Sequence, residues 1–155
     1  MKNKQTIDII KLFKNHLGDK IDDFTLPPPI FTIMECEVIG YDEVEKSLTV
    51  KMPVLKQWLN PYGTMQGGMI DTAIDNAVGP LSMLVASANM TRTIETKLLK
   101  AVGLDVEYIY VTAHLMEQKK RRLTFEARVT DVEGVVYATS KVVNFVLMEL
   151  VYERL

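Results

Sequence analysis

The sequence has only one cysteine and two histidines in 155 residues. A single cysteine, Cys36, excludes an intrachain disulfide framework and a metal site built from several cysteines. We therefore expect Cys36 to be a small strand residue in a reducing compartment and not a catalyst. The histidines, His16 and His114, stand in no cluster with metal-ligand spacing, so no metal site is predicted. His114 is expected to be an ordinary sheet residue.

A long apolar run and a strong excess of charge are also lacking. The apolar segments are far shorter than a membrane span, and residues 1–20 contain five lysines with no apolar stretch between them. Neither a membrane helix nor a signal peptide is therefore predicted. The formal net charge of −2 gives no indication of nucleic acid or a membrane surface as a partner. With 48% hydrophobic residues, the chain is expected to be a globular protein of the cytoplasm.

Residues 1–29 are predicted to form an extension that precedes the main domain, residues 30–155. Apolar residues recur at helical spacing over residues 3–17, which predicts an amphipathic helix that ends at Gly18. Residues 27–29 are all proline and are expected to be extended, because proline restricts its own φ and the residue before it. We expect this segment to be a rigid linker.

One long apolar helix and a series of strands make up the main domain. From Gly67 to Ala88 the apolar residues fall at the i, i+3, i+4, i+7 spacing of a buried helix, which Pro80 is expected to kink. Strand patterns occupy six further segments: 31–41, 47–53, 91–99, 104–117, 122–131 and 135–148. Long strands with tight turns indicate an antiparallel sheet. The predicted fold class is α+β, with the sheet curled around the helix.

The start of this helix carries residues that suit chemistry at a carbonyl group. Gly67 and Gly68 stand where the first N–H groups of the helix are free, and such groups hold negative charge well. Asp75 lies about two turns further on, in an apolar helix where a carboxylate is costly unless it is partnered or used. Asp71 is expected either to be solvated or to raise the pKa of Asp75 by like-charge repulsion. Asn60 lies shortly before the helix.

This stretch resembles the active-site loop and helix of the hotdog-fold acyl-CoA thioesterases, in particular their PaaI-like branch. In that family an asparagine is followed six residues later by His-Gly-Gly, and an acidic residue lies seven positions after the last glycine. Asn60, Gly67, Gly68 and Asp75 occupy those positions, whereas Gln66 replaces the histidine. The resemblance extends through the predicted strands and implies the hotdog fold.

The resemblance implies hydrolysis of an acyl-CoA thioester to a free acid and CoA, with no cofactor and no metal. Asp75 would then be the nucleophile or general base. The Gly67 N–H would stabilise the oxygen that gains charge, and Asn60 would position the attacking group. Thr91 or Thr93 matches the region where the family places a hydroxyl that helps to hold the water.

Further residues are candidates for holding the CoA thioester. Gly68 lies beside the predicted oxyanion donor. Lys97, Lys100 and the basic run 119–122 are candidates for the CoA phosphates, although a basic turn is usually just solvated. Trp58 and Tyr62 are predicted either to wall the acyl or CoA channel or to pack under the loop.

Gln66 leaves three functions open. Glutamine donates and accepts hydrogen bonds, yet it does not titrate near neutral pH as histidine does. If the family histidine only orients the loop, the chain is predicted to be an active thioesterase. If the histidine must transfer protons, a module that binds acyl-CoA without cleaving it is predicted, with the extension contacting a partner. A hydratase or dehydratase on the same fold is the third alternative, and it lacks a histidine near Asp75.

A homodimer is predicted because a sheet around one helix leaves an edge strand that a second copy can pair. The resemblance implies the same assembly, since the active sites of the family lie across a dimer interface. There the acid of one chain faces the loop of the other. A dimer of dimers is the next larger assembly expected.

Overall fold

Six antiparallel strands form one sheet that packs against a long helix. The computed structural model describes residues 6–147. Its helices are α1 (Ile9–Leu17), α2 (Pro29–Ile33) and α3 (Gly67–Val85), with short 3-10 helices at Gly18–Asp23 and Lys56–Trp58. The strands are β1 (Glu37–Asp42), β2 (Ser47–Pro53), β3 (Asn89–Leu98), β4 (Tyr108–Lys119), β5 (Arg122–Thr130) and β6 (Val136–Val146). Their order across the sheet is β1-β2-β4-β5-β6-β3. Because α3 packs against β2 to β6, the predicted α+β class is confirmed.

Helix α3 lies at the centre of the core because its apolar residues recur every three to four positions. Four of its residues are fully buried: Ile74, Ala77, Val78 and Leu81. The helix ends at Val85, three residues before the predicted end at Ala88. The Asn89 side chain donates to the carbonyl of Ser87 at 2.9 Å, which stabilises the turn from the helix into β3.

The strands alternate as the sequence predicts. The buried side chains of β2 are Leu48, Val50 and Met52, and those of β5 are Leu123, Phe125, Ala127 and Val129. Residues directly opposite each other in an antiparallel ladder share a face of the sheet. The inward face of the whole sheet therefore covers α3, and the core lies between them.

The predicted strand 31–41 is wrong in its first half. Residues up to Ile33 form α2, and β1 begins only at Glu37. Phe31 and Met34 are the buried residues here, and a spacing of three is that of a helical turn. Proline suits the first position of a helix, which is why the proline run opens α2.

Other strand boundaries also differ from the predictions: β3 begins at Asn89, two residues before the predicted start at 91, and β4 ends at Lys119, two residues after the predicted end at 117. The strand predicted from residue 104 begins at Tyr108, because the Val106 N–H donates to the Gly103 carbonyl at 3.1 Å and closes a turn first. The last strand runs from Val136 to Val146, and the predicted end at residue 148 lies outside the described residues.

Helix α1 begins later than predicted and ends as predicted. It starts at Ile9 because the Asp8 carboxylate accepts the Lys11 N–H at 3.1 Å, a capping bond that stabilises the first turn. It ends at Gly18, whose φ of 57° favours glycine. Residues 3–5 of the predicted helix lie outside the described part of the chain.

The extension packs on the same core as the main domain. Phe13 of α1 is 2% exposed, and the Ile7 N–H donates to the Val38 carbonyl at 2.7 Å. Within the proline run, Pro28 is extended as predicted, whereas Pro29 is the first residue of α2. The division of the chain at residue 29 stays a prediction.

Strand β3 is an edge of the sheet. Among the described residues it pairs with β6 alone, and most of its side chains are exposed. Two apolar side chains on it are open to solvent, Met90 and Leu98, the latter 55% exposed. A long exposed edge strand offers unpaired backbone groups to another chain. Separately, no helix in residues 6–147 has the length and apolar character of a membrane span.

Candidate active site

The packing of α3 against β3 brings Asp75 and Thr91 together. The Thr91 hydroxyl donates to Asp75 Oδ1 at 2.9 Å. A β-bulge at Arg92 sets the register, so that Thr91 lies opposite Asn144 and the next paired residue is Thr93. Of the two predicted threonines, Thr91 therefore holds the carboxylate, while Thr93 is exposed. Within residues 6–147 the other carboxylate oxygen, Oδ2, has no hydrogen-bond partner.

A cavity of about 270 Å³ opens beside this pair. The apolar side chains along its wall include Ile9, Phe13, Leu26, Pro27, Phe31, Met83 and Met90. Its polar lining residues are Asp75, Asn76, Ser82, Asn89, Thr91 and Asn144. An apolar pocket with a few convergent polar groups is typical of a small-molecule site. The part contributed by α1 was not predicted, although the apolar face of that helix was the signal that it must cover something.

Two hydrogen-bonded asparagines, the half-buried Asn89 and the buried Asn144, lie among the polar lining residues of this cavity. Asn144 is 1% exposed, and its Nδ2 donates to Asn89 Oδ1 at 2.9 Å. The Asn89 amide in turn donates to the backbone carbonyls of Ser82 and Ser87. Sequence analysis missed both asparagines. The available signal was the position of Asn144 in β6, in phase with the buried Val142, where an apolar residue is expected.

The start of α3 presents free N–H groups, as predicted. In the described part of the chain, the N–H groups of Gly67 and Gly68 have no acceptor. Gln66 precedes them as the N-cap residue, and its exposed side chain makes no capping bond. A Cβ added to Gly67 would lie 3.1 Å from Leu98 Cδ1, whereas one added to Gly68 would meet nothing within 4 Å. Packing therefore explains the glycine at 67 but not the one at 68.

Asn60 organises the loop that precedes α3. Its Oδ1 accepts the N–H groups of Tyr62 and Thr64, at 2.9 and 3.2 Å, and its Nδ2 donates to Thr64 Oγ1 at 3.0 Å. These bonds lie within the loop, and none joins Asn60 to Asp75. A role of this amide toward a thioester stays a prediction.

The acid and the helix start are far apart within one chain. Gly67 and Asp75 belong to one continuous helix, so at 1.5 Å per residue they lie about 12 Å apart along its axis. A single thioester carbonyl cannot contact both. A site that uses both groups must take them from two chains.

Three other predicted residues are placed as follows. One oxygen of Asp71, Oδ1, is shielded from solvent and has no partner among the described residues, so this carboxylate is not fully solvated in the chain. Trp58 packs against the core, and its Nε1 is likewise shielded and unpartnered within residues 6–147. Tyr62 is 90% exposed, so it does not pack under the loop.

The lysines predicted to bind CoA phosphates lie on exposed surface. Lys97 is exposed on β3, and Lys100 Nζ lies 5.8 Å from the centre of the Tyr137 ring. The basic run 119–122 spans the turn between β4 and β5. Neither group lines the cavity beside Asp75. Their role in phosphate binding stays a prediction.

Cys36 is positioned as an inert thiol. It lies one residue before β1, its Sγ is 3.9 Å from Met52 Sδ, and it accepts a long contact of 3.5 Å from Asn76 Nδ2. Burial raises the pKa of the Cys36 thiol to about 12, and the Asn76 contact offsets only part of that increase. The thiol is therefore protonated at neutral pH. The prediction that Cys36 is a strand residue is wrong, because β1 begins at Glu37.

We expect Cys36 of the folded protein to react with a disulfide reagent about a thousandfold more slowly at pH 8 than in the unfolded chain, because only the thiolate attacks. The colour released by Ellman's reagent, with and without guanidinium, measures this ratio. Because Cys36 is the only cysteine, one thiol gives the whole signal. Rapid stoichiometric reaction of the folded protein would contradict the shielded environment.

Among residues 6–147, no group of three or more His, Cys, Asp or Glu side chains is placed to hold a metal ion. His114 lies on β4 opposite Ser47 and Glu126, away from the cavity beside Asp75. None of the described residues that line that cavity is a histidine.

The sequence matches no protein-family model and no curated protein. Its structure is similar to solved structures. The Escherichia coli PaaI protein, from the phenylacetic acid degradation operon, has a TM-score of 0.74 at 14% identity and covers 90% of this chain and 96% of its own. The protein smu.793 of Streptococcus mutans UA159, solved with acetyl CoA, has a TM-score of 0.65 at 20% identity and covers 71% and 86%. This chain therefore has the hotdog fold.

A third similar protein, a hypothetical thioesterase of Streptococcus pneumoniae TIGR4, has a TM-score of 0.67 at 19% identity, covering 74% of this chain and 92% of its own. It has been solved as two alanine variants, one of an aspartate and one of a threonine. In that protein the aspartate and the threonine are sixteen positions apart. The structural neighbours of this chain are thus PaaI-like and thioesterase proteins.

Proposed function

We propose that the protein is an acyl-CoA thioesterase, which hydrolyses an acyl-CoA to a free acid and CoA. One observation carries the proposal: the Asp75 carboxylate, held by Thr91, faces an apolar cavity on a hotdog scaffold. A carboxylate there acts on the thioester carbonyl either directly as nucleophile or by taking a proton from water. As nucleophile, Asp75 forms a mixed anhydride with the acyl group while the C–S bond breaks and CoA leaves as the thiolate, and water then hydrolyses the anhydride. As general base, it takes a proton from water as the water oxygen bonds to the acyl carbon, and this proton goes to the CoA sulfur when the C–S bond breaks.

The neighbours support this reading in two ways. One of them was solved with acetyl CoA. In another, an aspartate and a threonine sixteen positions apart were chosen for replacement, and Asp75 and Thr91 are also sixteen positions apart and joined by a hydrogen bond. The equal spacing supports Asp75 and Thr91 as the residues that act together on the thioester.

We further propose that each site is shared by two copies of the chain. The free N–H groups of Gly67 and Gly68 suit a carbonyl oxygen that gains negative charge, yet they lie about 12 Å along the helix from Asp75 of the same chain. Antiparallel pairing of β3 with β3 of a second copy would cover the exposed β3 edge of each chain. It would also set α3 of each chain beside α3 of the other. The homodimer is therefore the smallest active unit in this proposal.

The cavity beside Asp75 is the proposed site of the acyl group. A water molecule occupies about 30 Å³ in the liquid, and a methylene group is of similar size, so a 270 Å³ cavity holds an acyl group of roughly six to nine carbon atoms. Phe13 and Leu26 of the extension form part of its apolar wall. The extension would thus help to set the length of the acyl group.

We expect Met83→Ala to extend the range of acyl groups accepted. Met83 is a half-buried wall residue of α3, so its truncation enlarges the cavity at modest cost to stability. The ratio kcat/KM for chains just longer than the wild-type optimum should rise roughly tenfold, the effect of a methylene in a tight apolar pocket, while that for acetyl-CoA stays unchanged. Kinetics with a series of straight-chain acyl-CoAs measure this. An unaltered length profile would place the acyl group elsewhere.

Release of free thiol from a panel of acyl-CoAs tests the proposed activity. Acetyl-, hexanoyl-, benzoyl- and palmitoyl-CoA separate short, medium, aromatic and long acyl groups. The cavity predicts highest kcat/KM for the medium or aromatic substrates. Absence of turnover with every member would overturn the thioesterase assignment.

A second candidate, a module that binds acyl-CoA without cleaving it, is favoured by one observation. Gln66 stands where the resembling family has histidine, and it provides no titrating group. Micromolar binding of hexanoyl-CoA by calorimetry, without thiol release, would support this alternative. The hydratase reading has no comparable support, because the described cavity contains no histidine. Phosphate contacts from Lys97 and Lys100, a reaction without a cofactor, and the cytoplasmic location stay predictions.

A further inference from the structure

The orientation of two side-chain amides follows from their partners. Asn89 faces the backbone carbonyls of Ser82 and Ser87, at 3.2 and 2.9 Å, and carbonyls only accept hydrogen bonds. The NH₂ group of Asn89 must therefore point at them, which turns its Oδ1 toward Asn144. Asn144 then donates its own NH₂ group to that oxygen at 2.9 Å. The oxygen of Asn144 is the atom left over.

That oxygen is buried and lacks a donor within residues 6–147. Asn144 is 1% exposed, and its Oδ1 is shielded from solvent with no hydrogen-bond partner among the described residues. A buried acceptor without a donor is unfavourable, so native structures supply one, commonly an ordered water. Turning the Asn144 amide by 180° does not relieve this, because its oxygen would then face Asn89 Oδ1 and the hydrogen bond between the two side chains would be lost.

The residue that carries this oxygen lines the same cavity as the proposed acid. Asn144 lies directly opposite Thr91 in the ladder between β3 and β6, so the two side chains share the inward face about 5 Å apart. Thr91 donates to Asp75 at 2.9 Å. All three residues line the cavity. Two acceptors of this group, Asn144 Oδ1 and Asp75 Oδ2, have no hydrogen-bond partner within residues 6–147.

We propose that Asn144 is a positioning residue for the hydrolytic water, an inference that rests on the proposed thioesterase function. The water donates one hydrogen to Asn144 and the other to Asp75, which directs its oxygen lone pairs to the acyl carbon in the cavity. Its oxygen then bonds to that carbon as its proton passes to Asp75. The C–S bond breaks, and the CoA sulfur leaves with the proton from Asp75. Asp75 is a general base in this scheme.

Partition between water and an added nucleophile tests the proposal. With hydroxylamine present, the enzyme forms hydroxamate in competition with acid, and only acid formation needs the held water. In Asn144→Leu, which keeps the size but removes the acceptor, kcat for hydrolysis should fall about a hundredfold, as misplaced reactants do, with KM little changed. The hydroxamate-to-acid ratio should rise roughly tenfold, since a diffusing nucleophile is affected less.

Ser140→Ala is the matched control, because Ser140 lies on the inward face of β6 and is buried, but outside the cavity. It should leave both the rate and the product ratio unchanged. Equal loss of acid and hydroxamate in Asn144→Leu, with an unchanged ratio, would overturn the positioning role and leave the thioesterase intact. A wild-type protein that forms neither product would instead overturn the proposed function.

A crystal structure of the wild-type protein provides a test that does not depend on the folding of a variant. An ordered water within hydrogen-bond distance of both Asn144 Oδ1 and Asp75 is expected. A well-defined site with no water there, or with the Asn144 oxygen bonded to protein, would contradict the proposal.

Discussion

Asp75→Asn is expected to lower kcat for acyl-CoA hydrolysis about a thousandfold, the range that removal of a general base produces. In the native chain the Thr91 hydroxyl donates to Asp75 Oδ1 at 2.9 Å. Asparagine has the size of aspartate, and its amide oxygen still accepts this hydrogen bond. The geometry of the cavity should therefore persist while the basic oxygen is lost. Thiol release under saturating hexanoyl-CoA measures the effect, and thermal unfolding should show little change in Tm.

Asp71→Asn provides the control for this substitution. Asp71 lies one turn earlier on the same helix, and it does not line the cavity. Its replacement removes an equal charge from the helix and should leave kcat close to that of the wild type. Equal losses in the two variants would mean that the helix needs the charge and that Asp75 has no particular role.

Gly68→Val is expected to abolish most activity by excluding the thioester from the free N–H groups of α3. Within its own chain Gly68 has open space, since an added Cβ meets nothing within 4 Å. Valine is also a better helix former than glycine, so the substitution should not unfold the protein. We expect kcat/KM to fall about a hundredfold, the effect of losing one oxyanion donor, with Tm unchanged or higher.

Gly68→Ala separates steric exclusion from effects on the helix. Alanine favours the helix more than valine does, yet it is smaller, so it should raise Tm and reduce activity less. Activity that follows side-chain size across glycine, alanine and valine supports approach of a ligand at this position. A Gly68→Val variant with full activity would show that the helix start does not contact the substrate.

The fold was predictable because its signals are periodic. The spacing of apolar residues in α3 and the alternation in β2 and β5 predict which side chains are buried, and the structure confirms them. The first half of the strand predicted at 31–41 was wrong, because Phe31 and Ile33 alternate as on one face of a strand, whereas the buried pair is Phe31 and Met34, at the spacing of a helical turn. Short segments carry too few periods to decide between the two.

The candidate site was predictable only where residues are close in sequence. Gly67, Gly68 and Asp75 lie on one helix, so their spacing is informative. The contact between Asp75 and Thr91 depends on the bulge at Arg92, and the amide pair of Asn89 and Asn144 depends on strand register across 55 positions. Such contacts are set by sheet pairing, which a single sequence does not reveal.

Each active site is proposed to combine Asp75 of one chain with the start of α3 of the other. Co-expression of Asp75→Asn and Gly68→Val chains carrying different tags, followed by purification of the mixed dimer, tests it directly. In the mixed dimer one site combines two intact halves, so activity should return to about half of the wild-type value, as the two-fold symmetry of the dimer requires. Thiol release from the mixed dimer that stays at the level of the two parent variants would contradict the shared site.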